Sequence, residues 1–144
     1  MTPPARIEVP DAVRPAAGLA ASLRGSVLAL AEALFVSDDG PPPPERVAWL
    51  LDDLDDFLGH AGPRARLSFG LCVRAVAWTC PLLVGRPGSF RALSLPLRLR
   101  ALERLEKLPL GLALFGAKAL LCLVWYEHPE NERFAGYDGR CLRG

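Results

Sequence analysis

The chain has very little β-branched bulk. Ile7 is its only isoleucine, and valine and threonine are sparse beside leucine and alanine. Straight-chain residues lose little rotamer freedom in a helix, so this bias excludes a sheet-dominated fold and favours an all-α one. Histidine is nearly absent too, with only His60 and His128. Neither the four cysteines nor the histidines fall at zinc-ligand spacing, and there is no C-x-x-C. No G-x-S-x-G elbow occurs, and no glycine-rich phosphate loop follows a strand. The formal net charge is only +1. Bulk electrostatics therefore gives no reason to expect a nucleic-acid partner or an anionic membrane.

What is present points to packing. A chain of 144 residues suits one domain and can bury a real core, and half of it is apolar. The fourteen prolines gather at the N-terminus, in one tetrad and where helices should start or stop. Residues 1–15 carry Pro3, Pro4, Pro10 and Pro15 and read as a disordered arm. They show neither a basic segment followed by an apolar one nor a twin-arginine pair, so a cytoplasmic location is the expectation. Cysteines scattered singly through helical runs agree with that.

Residues 16–127 read as a helical domain of about five helices in a compact bundle. The first helix spans about 16–36, with Leu19, Leu23, Val27, Leu30 and Leu34 on one stripe. Pro41 to Pro44 form a stiff spacer, or alternatively a ligand for a proline-recognising module. A second helix starts near Pro44 and runs to about 59. Val47, Leu50, Leu51, Leu54, Phe57 and Leu58 make its apolar face, opposite Asp52, Asp53, Asp55 and Asp56. Adjacent carboxylates diverge by about 100° on a helix, so a solvated acidic face is preferred over a metal site. The third helix covers about 64–80 and should end at Pro81. The fourth covers 94–107, with a Ser94 cap and basic Arg98, Arg100, Arg104 and Lys107. The acidic second and basic fourth helices can pair with each other or each face a partner.

Residues 108–126 are the most unusual stretch, carrying one charge, Lys118, in nineteen residues. The length suits a membrane span, but a mid-span lysine costs about 2.5–3.5 kcal/mol, so a buried core helix is expected instead. Such a helix is buried all round, and Lys118 snorkels to the surface or meets a carboxylate. His60 and His128 read as residues at helix C-termini. Buried thiols in Leu/Ala surroundings behave as small hydrophobes. The chain therefore supplies no catalytic residue and binds neither metal nor cofactor. Residues 128–144 form an irregular tail in which aromatics alternate with glycines, suited to capping the core or inserting into a partner.

The order Phe90, Leu93, Arg98, Leu102, Leu105, Lys118, Tyr126-Glu127-His128-Pro129 and Gly136-Tyr137-Asp138-Gly139 resembles the gluconate 2-dehydrogenase subunit 3 family. It is also similar to the helical region attached to some long-chain alcohol oxidases of the glucose–methanol–choline flavoprotein family. The resemblance implies a non-catalytic accessory subunit. Its partner would be a large flavoprotein that holds FAD and oxidises an alcohol, sugar or sterol-like substrate. Lys118, Trp125, Tyr126, Phe134, Tyr137 and Asp138 are the expected partner-binding residues. Some family members carry an export signal, and none is visible here. The alternative is a stand-alone helical scaffold that forms a homo-oligomer through its acidic and basic faces.

Overall fold

A computed structural model describes residues 18–128. The expected arm at 1–15 and most of the expected tail, from Pro129 onward, lie outside the described residues. Five helices make up the fold: α1 (Ala21–Leu34), α2 (Pro44–Ala61), α3 (Pro63–Leu83), α4 (Leu95–Glu106) and α5 (Gly111–Tyr126). A 3-10 turn, Phe90–Ala92, precedes α4, and no strand occurs among the described residues. The all-α expectation holds.

The periodic leucines pack as their spacing requires. Leu19, Leu23, Val27 and Leu30 are buried from the α1 side, and Val47, Leu50, Leu51, Leu54 and Leu58 from α2. Phe69, Val73, Val76 and Cys80 of α3 meet Leu114, Ala117, Leu121 and Val124 of α5 in the same core. Phe90, on the 3-10 turn, is almost fully buried and plugs this core from the loop side.

Three boundaries differ from expectation. Helix α1 begins at Ala21 rather than near residue 16. Gly18 sits where an added Cβ would lie 2.3 Å from the backbone of Asp55 and Gly59, and the Leu19 N–H donates to Asp55 Oδ1 at 2.7 Å. The incoming chain is thus pinned against α2 before it can wind. Helix α3 does not stop at Pro81 but runs on to Leu83. A proline costs the bond to the carbonyl four residues back, which is tolerable so near the end. Amide donors from Gly85 and Arg86 then close the last turn, at 3.2 and 3.0 Å. Helix α5 starts at Gly111 because residues 107–110 turn the chain through 118° between α4 and α5.

Between α2 and α3 only Gly62 intervenes, and it is the C-cap of one helix and the N-cap of the other. Its φ of 97° is a conformation that side chains disfavour. Pro63 then opens α3 at the position where a missing N–H costs nothing. This one-residue hinge sets α2 against α3 and fixes which side of α3 is left outward.

Candidate docking surface

Helix α3 buries one side only. Leu67, Leu71, Trp78 and Leu82 fall within an arc of about 60° at 100° per residue, and all four are more than half exposed. Helix α5 repeats the pattern with Leu112, Phe115, Leu123 and Tyr126. The expectation of a fifth helix buried all round is therefore overturned: Leu112 is 78% and Phe115 70% exposed. The reason is count and placement. Four helices cannot surround a fifth that sits at the edge, and α5 has only its Leu114–Val124 stripe turned inward.

The two helices adjoin. Gly116 stands against Cys72, so close that an added Cβ would lie 3.3 Å from Sγ. Having no side chain there lets α3 and α5 approach closely, and each helix carries an outward apolar row. Aromatic side chains carry about 150–250 Å² each. Trp78, Phe115 and Tyr126, each about two thirds or more exposed, thus present roughly 400 Å² before any leucine is counted. Exposed apolar area on this scale marks docking surfaces where it is contiguous.

The expected partner-binding residues fall into three groups. Tyr126 lies on the exposed row, 65% exposed. Lys118 lies towards the other end of α5 and meets Glu106 of α4 at 3.8 Å, with both side chains about half exposed. Trp125, in contrast, is committed to the fold. Its ring stacks on Phe35, with centroids 4.1 Å apart and planes 5° from parallel. The Arg46 guanidinium covers the Trp125 ring at 4.4 Å, and Nη2 donates to the Trp125 carbonyl at 2.9 Å. Phe134, Tyr137 and Asp138 lie outside the described residues.

The charged faces of α2 and α4 are met by α1. Arg24 of α1 pairs with Asp52 at 2.8 Å, and Glu32 of α1 receives Arg98 at 3.0 Å. Arg98 also donates to the carbonyls of Ala29 and Leu93, which makes it a clasp on the end of α1. His60 Nδ1 lies 2.8 Å from the Asp56 carbonyl, at the end of α2, and His128 packs edge-on against Trp49 at 4.4 Å. Burial in an apolar setting pushes the Cys80 thiol up to about 12 from 9.0, which holds it protonated and unreactive. Among the described residues no three His, Cys, Asp or Glu side chains converge as metal ligands.

Charge is segregated along the chain, which the near-zero total conceals. Residues 18–62 hold two Arg against eight carboxylates, while 63–126 hold ten Lys and Arg against two. The apolar rows lie in the basic half. Their ends differ. Beside the C-terminal end of α5 is an acidic hollow of Asp53, Asp56, Phe57, His60 and Glu127, about 430 Å³ in volume. Comparison with known protein families, with curated proteins and with solved structures finds no match.

Proposed function

We propose that this chain is a non-catalytic accessory subunit that binds and steadies a large partner protein. The observation that carries the reading is the pair of exposed apolar rows on α3 and α5, which leave eight large apolar side chains more than half exposed. Docking centres on the C-terminal end of α5, where Leu123 and Tyr126 are exposed and the chain leads directly into the aromatic–glycine tail. Tyrosine suits this role because it brings large area at little entropy cost. The ring of Trp125, held by Phe35 and Arg46, fixes the rotation of α5 and so the outward direction of Tyr126.

The resemblance of Tyr126-Glu127-His128-Pro129 and Gly136-Tyr137-Asp138-Gly139 to the gluconate 2-dehydrogenase subunit 3 family supports a flavoprotein as that partner. On this reading FAD and all redox chemistry belong to the partner, and this chain contributes contact area. The test is to purify the tagged chain from its own host and to reconstitute the complex with any flavoprotein it brings down. Tyr126→Asp combined with Leu123→Asp should abolish the complex while leaving the helical content of the free chain unchanged. A complex that forms equally well with both aspartates in place would overturn the proposed surface.

A further inference from the structure

We propose that the other end of the apolar rows, at the α4–α5 corner, seats this protein on an anionic lipid surface. This site is separate from the partner surface at the C-terminal end of α5. Arg104, in the last turn of α4, donates to the Leu83 carbonyl at the end of α3, which ties those two helix ends together. Gly111 packs against the Leu105 carbonyl, which brings the start of α5 to the same place. Six large apolar side chains, Trp78, Leu82, Leu108, Leu110, Leu112 and Phe115, are exposed there.

The surroundings decide what covers them. Lys118 and Glu106 line this corner with Leu108, Leu112 and Phe115, Arg104 is tied to the end of α3, Arg86 and Lys107 follow the C-terminal ends of α3 and α4, and Glu103 is the other carboxylate of α4. Glu106 already meets Lys118. Behind them the α3–α5 half carries ten cations in all against two carboxylates. The acidic half of the molecule is repelled by the same lipid that attracts this one, so the charge separation orients the chain as well as holding it. Leucine and aromatic side chains ringed by Lys and Arg have the composition of an interfacial anchor, with the cations at headgroup level. The seat is a surface contact and not a span. At 1.5 Å per residue α5 is about 24 Å long, short of the roughly 30 Å hydrocarbon core. Helix α3 is long and apolar enough to cross, but its inner side is built into the core.

The full chain should be mixed with vesicles of phosphatidylglycerol and phosphatidylcholine, and with vesicles of phosphatidylcholine alone, and bound protein measured by flotation. Binding should be at least about tenfold tighter to the anionic vesicles, since each cation near the surface is worth roughly a factor of five and more than one faces the lipid. It should weaken in high salt, and Trp78 emission should shift to the blue. Leu112→Glu with Phe115→Glu should remove binding without changing the circular dichroism spectrum. Leu123→Glu with Tyr126→Glu should leave it intact, which separates this site from the partner surface. Equal affinity for the two vesicle types, or no flotation, would overturn the proposal. So would a sizing result in which Phe115 is needed for a dimer, because a second copy would then be what covers the corner.

Discussion

Trp125 and Tyr126 are neighbours in the chain with opposite tasks. Trp125 stacks on Phe35 beneath Arg46, whereas Tyr126 points outward. Trp125→Ala should therefore cost about 3 kcal/mol or more in urea denaturation, the usual range for removing a packed aromatic ring. Tyr126→Ala should cost within about 0.5 kcal/mol, as exposed positions do. The sequence could not separate these two roles, because Arg46 stands 79 residues from Trp125 along the chain. Cys80 makes a second residue-scale prediction. Its thiol is neutral and buried in the fold but ionises near 9.0 when exposed. A raised folded value means that the unfolded state gives up its proton first as pH rises. Stability should be level through neutral pH, then fall between about pH 9 and 12, and Cys80→Ala should flatten that fall. A melting curve series across this range checks it.

At the scale of the element, helix positions were legible and helix surroundings were not. Apolar spacing placed all five helices because each presents a stripe to one core. Boundaries slipped where other contacts intervened, as at Gly18, held by α2, and after Pro81, where Gly85 and Arg86 donate to the Leu82 and Pro81 carbonyls and close the last turn. Helix α5 was misjudged for a different reason. Uniform apolarity shows that a helix can be buried, but the number of neighbours decides whether it is, and no local pattern records that number. The hinge between α2 and α3 carries the prediction at this scale. Nothing crowds Gly62, so Gly62→Ala tests backbone conformation alone. With φ at 97° it should lose about 1–2 kcal/mol, measured by denaturant titration, with the helical spectrum of the native state retained.

For the whole molecule, total charge was a misleading guide. A sum of +1 hides an acidic first half and a basic second half, and the apolar rows lie on the basic one. The two halves do not neutralise each other through α2 and α4, because α1 stands between them and meets both, through Arg24 and Glu32. What remains exposed is a pair of apolar rows with a different charge setting at each end. The outward rows were not legible in the sequence, since which side of α3 and of α5 is left exposed is set by packing between helices far apart in the chain. The central claim is that the C-terminal end of α5 binds a larger protein. It is tested most directly by purifying the tagged full chain from its own host and determining the mass and absorbance of what it elutes with. The account predicts a stoichiometric, yellow, FAD-containing partner that is lost from Leu123→Asp/Tyr126→Asp. A monodisperse monomer with no flavoprotein would contradict it.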